Sequence, residues 1–324
     1  MRKKIAIGVI LGIVVVSLVV AVVARPGVSG GKGRLGAAKG GEVALVRVEG
    51  PISGGRGEAS ILGTSAGSEA VVARLREVEK DPSLKALVLR VNSPGGSAAA
   101  SQEIGEAVKR VKAAGKPVVV SMGDAAASGG YWISAEADKI VANPATMTGS
   151  IGVIMETMNL VGLYGKVGVK REAIKSGPFK DIGSSSREMT EEERAILQGM
   201  INDIYEQFVQ VVAEGRKIPA STVRQFADGR VFTGSQAAKI GLVDELGDLD
   251  KAVKLAGKLA KIEGEPRVRE IDRRRTTLDV LLSGGMGSSW IGGAVTWLNL
   301  SRGVAWQDAG LVQDLLRSGI EPPR

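Results

Sequence analysis

Ser128 stands in Gly123-Asp-Ala-Ala-Ala-Ser-Gly-Gly130, in a chain of 324 residues that contains no histidine. A serine hydroxyl attacks a carbonyl only when a neighbouring base removes its proton, and a Ser-His-Asp site takes that base from histidine. An enzyme built on Ser128 needs another base, and lysine is the established substitute. A second turn, Asn92-Ser-Pro-Gly-Gly-Ser97, offers complementary chemistry. Pro94 stops helix continuation, and Gly95 and Gly96 let the backbone turn its N–H groups outward, where they can hold a developing oxyanion. Gly129 and Gly130 let a substrate backbone approach Ser128, at the start of a helix whose N-terminus favours negative charge. With no histidine to orient, Asp124 is expected to cap that helix and to take no catalytic part.

Elements must bring these turns together, and the hydrophobic pattern supplies them. Val43–Val48, Lys85–Val91, Pro117–Ser121 and Lys139–Ala142 read as strands. Helices are expected near Val71–Val78, from Ala98 to Ala114, and through Ser128 to Ala137. Strands alternating with helices predict an α/β fold with a mainly parallel sheet, and both turns fall at strand ends. Thr190-Glu-Glu-Glu193 opens a long helix with an N-cap and acids in its first turn, and Ile196, Leu197, Met200, Ile204, Phe208 and Val211 give it an apolar face ending near Gly215. That helix and the short one before Gly241 are expected to be structural or oligomer-forming. A last regular helix is expected from Asp248 to Lys261.

Composition narrows the classes. The 45 glycines and 3% aromatic content fit a small-residue α/β enzyme. The net charge of +8 is spread along the chain without an aromatic-rich basic module, which argues against a nucleic-acid partner. With neither cysteine nor histidine, disulfides and thiolate sites are excluded and zinc or transition-metal catalysis is not expected, so no cofactor or metal is assigned.

Residues 1–4 carry Arg2, Lys3 and Lys4, and Ile5 to Ala24 is an apolar run long enough, at about 1.5 Å per residue, to cross a bilayer. A cleaved signal peptide usually has a shorter core, so an uncleaved anchor is expected, with a cytoplasmic N-terminus and the rest of the chain outside. Residues 25–42 form a glycine-rich tether. Residues 263–324 mix Trp290, Trp297, glycines and apolar residues, which fits a membrane- or subunit-associated tail as well as a disordered one.

Asn92-Ser-Pro-Gly-Gly96, Gly123-Asp-Ala-Ala-Ala-Ser-Gly-Gly-Tyr131, Thr148-Gly-Ser-Ile-Gly152, Lys175-Ser-Gly-Pro-Phe-Lys-Asp181 and Asp228-Gly-Arg-Val-Phe-Thr-Gly-Ser-Gln-Ala237 occur in one order. Over residues 43–262 this resembles the S49 family of Ser-Lys proteases, the signal peptide peptidase A family, whose fold is related to the Clp protease and crotonase and built of repeated β-β-α units. The resemblance implies Ser128 as nucleophile, Lys180 as general base, Ser150 as the hydroxyl that orients the lysine amine, and Gly95 in the oxyanion hole, helped by the Ser128 N–H. It implies an octamer-like homo-oligomer in which Ser128 of one subunit meets Lys180 of the next, acting on remnant signal peptides and other short apolar peptides at the cell membrane. A lysine base must shed its proton against an ordinary value of about 10.4, so Asp181 is expected to point away from it. A crotonase-like acyl-CoA enzyme and a non-catalytic membrane scaffold of the same fold are the alternatives.

Overall fold

Strands that are apolar on both faces can be buried on both faces, as parallel sheets are. The valine- and leucine-rich strands β1 (Glu42–Glu49), β2 (Leu84–Ser93) and β3 (Val118–Ala127) do this at the centre of an eight-stranded sheet. β4 (Lys139–Ala142), β5 (Met147–Gly149), β6 (Val231–Thr233), β7 (Glu245–Leu246) and β8 (Arg267–Glu270) complete it in the order β6-β5-β3-β2-β1-β8, with β4 on β3 and β7 on β4. Every pairing is parallel except β5 with β6. The computed structural model describes residues 42–271, without 57, 58, 61 and 62. The expected membrane segment Ile5–Ala24, the linker up to Gly41 and the tail from residue 272 lie outside them. Among the described residues no helix is long and apolar enough to cross a membrane.

The helices are α1 (Ser68–Lys80), α2 (Ala98–Ala113), α3 (Gly129–Ala135), α4 (Val161–Lys166), α5 (Glu191–Arg216), α6 (Ala220–Val223), α7 (Gly234–Lys239) and α8 (Leu249–Leu259). Alternation along the strands divides the core. Val46, Leu87, Leu89, Val118 and Val120 face α1, α2, α3 and the second half of α5, whereas Val43, Leu45, Ala86, Val88 and Val119 face Ala252 and Ala256 of α8. β8 lies beyond the boundary expected at residue 262, and its pairing with β1 makes residues 267–270 part of the sheet.

β3 departs most from expectation. It was expected to stop at Ser121 but runs to Ala127, because the sheet gives its second half a new neighbour. Val119 to Ser121 pair with β4, whereas Ala125 to Ala127 pair with Met147 to Gly149 of β5. A register shift between Val91 and Ser93 lets β2 follow the change. Asp124 is therefore an exposed strand residue reached by Asn92 Nδ2 at 3.5 Å, and not the cap expected for α3, whose N-cap is Ser128 with no side-chain capping bond.

Candidate active site

Ser128 occupies the single residue between the end of β3 and the start of α3. Its backbone has φ 52° and ψ −122°, a region that residues with a Cβ rarely enter and that costs about 1–3 kcal/mol to hold. Several bonds fix it there. The Ser128 N–H donates to Gly149 O at 2.9 Å, and the Ser128 carbonyl accepts from Tyr131 N at 2.8 Å and Trp132 N at 2.9 Å. The buried Tyr131 hydroxyl donates to Leu242 O at 2.9 Å, anchoring α3 to the core. Because the Ser128 N–H is spent on Gly149, it is not free to serve as the second oxyanion donor expected beside the Gly95 turn.

The Pro94-Gly95-Gly96 turn lies directly against this residue. A Cβ built on Gly95 would stand 2.7 Å from Ser128 Cβ and 2.8 Å from Gly129 N, and Gly95 has φ +104°. Both backbone polar groups of Gly95 are engaged, its N–H with Ser93 Oγ at 3.1 Å and its carbonyl with Ile52 N at 2.8 Å. The N–H groups of Gly96 and Gly129 have no acceptor among the described residues. They lie close together, since a Cβ on Gly129 would be 3.3 Å from Gly96 N. Gly95 thus shapes the turn, and Gly96 and Gly129 are its available donors.

Ser150 comes to the same place through the sheet. Ala127 and Gly149 are register partners, so Ser128 and Ser150 leave adjacent strand ends together. Ser150 too is left-handed, with φ 50°, and its N–H donates to Arg230 O at 2.8 Å. The structure therefore brings Ser128, Gly95 and Ser150 to one edge of the sheet.

A cleft of about 280 Å³ opens beside Ser128 and Gly129. Its walls include Trp132 of α3, Val153 and Met155 after β5, and Met200, Ile204 and Phe208 of α5. Trp132 and Phe208 pack with ring centroids 4.9 Å apart. The lining is apolar and includes large side chains beside the small residues of the two turns. The α5 positions form the apolar stripe whose expected role was structural or oligomer-forming. Nothing local distinguishes a stripe that faces a core from one that faces a cleft.

Lys180 is absent from this lining. It is exposed on a turn in which Lys180 N donates to Gly177 O at 3.3 Å. Asp181, its neighbour, is engaged elsewhere: its carboxylate accepts from Lys175 Nζ at 2.6 Å and from Arg187 Nη2 at 2.7 Å and Nε at 2.9 Å. Within one chain Asp181 thus forms no ion pair with Lys180. Among the described residues no group of acidic side chains is arranged to hold a metal ion.

The family model for peptidase family S49 matches residues 110–263, and that for Clp protease matches residues 63–149. Putative protease slr0021 of Synechocystis is 47% identical over 195 residues, covering 60% of this chain and 70% of the relative. The putative signal peptide peptidase SppA of Enterococcus faecium is 38% identical over 70% of this chain and 64% of its own length. Protease 4 of Salmonella typhi is 39% identical over 77% of this chain, which spans only 39% of that longer protein. Ser128 and its two turns lie on a parallel-rich α/β sheet of the Clp protease kind, and on these similarities the chain belongs to peptidase family S49.

Proposed function

We propose that the chain is a membrane-anchored serine endopeptidase that cuts remnant signal peptides and other short apolar peptides outside the cytoplasm. The observation that carries this reading is Ser128, held at a strained backbone position at the mouth of an apolar cleft, with the Gly96 and Gly129 N–H groups next to it. The apolar run Ile5–Ala24 supports the anchor. In acylation the Lys180 amine takes the Ser128 hydroxyl proton as Oγ bonds to the scissile carbonyl carbon. The carbonyl electron pair moves onto its oxygen, which the Gly96 and Gly129 N–H groups stabilise. The Lys180 ammonium then protonates the leaving nitrogen as the C–N bond breaks, and water releases the acyl group by the reverse sequence. Ser150 orients the amine. Lys180 belongs to a neighbouring subunit of a homo-oligomer, which fits its exposed turn outside the cleft.

The test is labelling by a fluorophosphonate together with hydrolysis of an apolar peptide by the assembled full-length chain. Wild type is expected to label and to cleave, and Ser128→Ala and Lys180→Ala to do neither. Full cleavage by Lys180→Ala would remove the dyad. A wild type that neither labels nor cleaves would leave the crotonase-like or scaffold readings.

A further inference from the structure

Asp181 is next in sequence to the proposed base, and an opposite charge within about 4–6 Å of an amine favours its protonated, non-basic form. The structure deals with this carboxylate in an unusual way for an exposed turn. Lys175 Nζ and Arg187 Nη2 both donate to Asp181 Oδ1, and Arg187 Nε donates to Oδ2, so the guanidinium grips both oxygens. Arg187 Nη2 also reaches the Asp181 carbonyl at 3.3 Å. On its far side Arg187 donates through Nη1 to Glu193 Oε2 at 2.7 Å and through Nη2 to Glu193 Oε1. Glu193 is only 2% exposed and belongs to the capping box of α5, accepting from Thr190 N at 3.0 Å while Thr190 Oγ1 accepts from Glu193 N at 3.2 Å. The turn carrying Lys180 is thereby bolted to the start of the helix that walls the cleft.

We propose that Arg187, seconded by Lys175, is a positioning residue for the base: by occupying Asp181 and bracing it on Glu193, it keeps this carboxylate off the Lys180 amine. The inference rests on the Ser-Lys reading above. Two cations and two carboxylates make the cluster neutral, and the other charges near it are engaged or solvated. Glu188 accepts from Asn159 Nδ2 at 2.8 Å, Glu191 lies 4.0 Å from Arg194, and Glu192 is exposed. The Arg187 and Lys175 hydrogen bonds hold the Asp181 carboxyl well below the usual carboxylate range, so its charge is permanent at any working pH. Glu193 and then Asp181 push the Arg187 guanidinium upward, so the clamp does not titrate away either. Without Arg187 a fixed negative charge would remain one residue from the base with only Lys175 to answer it.

A clamp that merely stiffened the turn would lower kcat/KM equally at every pH. A clamp that also shields the base must move the acidic limb of the pH profile. In the assembled full-length enzyme, with active sites counted by fluorophosphonate, Arg187→Met is expected to shift that limb by about one unit to higher pH, roughly tenfold in kcat/KM below it, with the alkaline plateau retained. The double variant Arg187→Met/Asp181→Asn is expected to bring the limb back. A limb that stays in place in Arg187→Met, or a shift that the double variant does not reverse, would overturn the proposal. Asp181→Asn alone covers the case in which Arg187→Met fails to assemble. The limb should then stay within a few tenths of wild type, whereas a move of a full unit to lower pH would mean that Asp181 already holds the proton of the base. Cleavage by Lys180→Ala would sink the dyad itself, whatever the Arg187 variants do.

Discussion

At the scale of residues, the site depends on backbone that only particular side chains permit. Gly95 is the sharpest case, because a methyl group there would meet Ser128 Cβ at 2.7 Å, Gly129 N at 2.8 Å and Ala127 O at 2.9 Å, on a backbone with φ +104°. None of these neighbours is the free end of a flexible side chain, so the turn or Ser128 has to move. We expect Gly95→Ala to lower kcat for an apolar peptide by about 10²–10³, the loss seen when an oxyanion donor is removed, because the moved turn displaces the Gly96 N–H, while circular dichroism still reports a folded chain. Wild-type turnover in that variant would mean that the turn does not set the geometry around Ser128. Part of this was legible in the sequence: the strand pattern placed the Pro94-Gly-Gly and Ser128 turns at strand ends, the family resemblance added Ser150, and all three meet in space. What could not be read was the partner of each N–H. The Ser128 N–H goes to Gly149 and the Gly95 N–H to Ser93 Oγ, which leaves Gly96 and Gly129 as donors. The Ser128 bond follows from the extension of β3 along β5, a pairing about twenty residues away that no local pattern encodes, whereas the Gly95 bond is a local turn to Ser93.

At the scale of elements, α5 unites core and cleft. Its second half buries Phe208, Val209 and Val212, while Met200 and Ile204 near its middle line the cleft. Its start and length were legible from Thr190, the acids of the first turn and the 3.6-residue stripe. Its task was not, because the stripe becomes a cleft wall only when it meets Trp132 of α3. The C-terminal end is fastened by Arg216, whose buried guanidinium pairs with Asp244; Asp244 also accepts from Ile140 N at 2.8 Å and Lys139 Nζ at 3.0 Å. Burial pushes the Asp244 carboxyl up, but Arg216, the Ile140 N–H and Lys139 more than offset it, so the net direction is down. A carboxyl with a lowered folded value adds stability above its ordinary value of about 3.9 and loses it as pH falls through the folded one. Asp244→Asn is thus expected to cost about 3 kcal/mol near neutrality by stranding the Arg216 charge, with the gap from wild type narrowing as pH falls below about 4. Urea midpoints at matched protein concentration measure this. An equal gap at pH 3 and pH 7 would show that the loss is packing and not charge.

At the scale of the whole molecule, the proposed dyad is not assembled within one chain. Lys180 lies on an exposed turn and does not line the cleft beside Ser128. The segment that carries it displays apolar side chains to solvent, with Ile154 79%, Met158 68% and Val167 62% exposed. Exposed apolar side chains of this kind suit a surface that a partner covers. A head-to-tail arrangement in which each subunit lends Lys180 to its neighbour would cover this segment and complete each site, and a closed ring of such contacts needs no special end subunits. The arrangement has a consequence that a dyad within one chain cannot imitate. Ser128→Ala chains keep the base and Lys180→Ala chains keep the nucleophile, so each is inactive alone, but a mixed ring contains junctions with both. Random one-to-one co-assembly is expected to restore roughly a quarter of the wild-type peptide cleavage, because only one junction in four joins an intact Ser128 to an intact Lys180. Labelling should return only on the Lys180→Ala chains, which alone carry Ser128. If co-assembly is verified by two different affinity tags and cleavage stays at the level of the separate variants, the two residues do not meet across a subunit boundary. The base would then have to reach Ser128 within one chain, through a movement of the segment after Gly152.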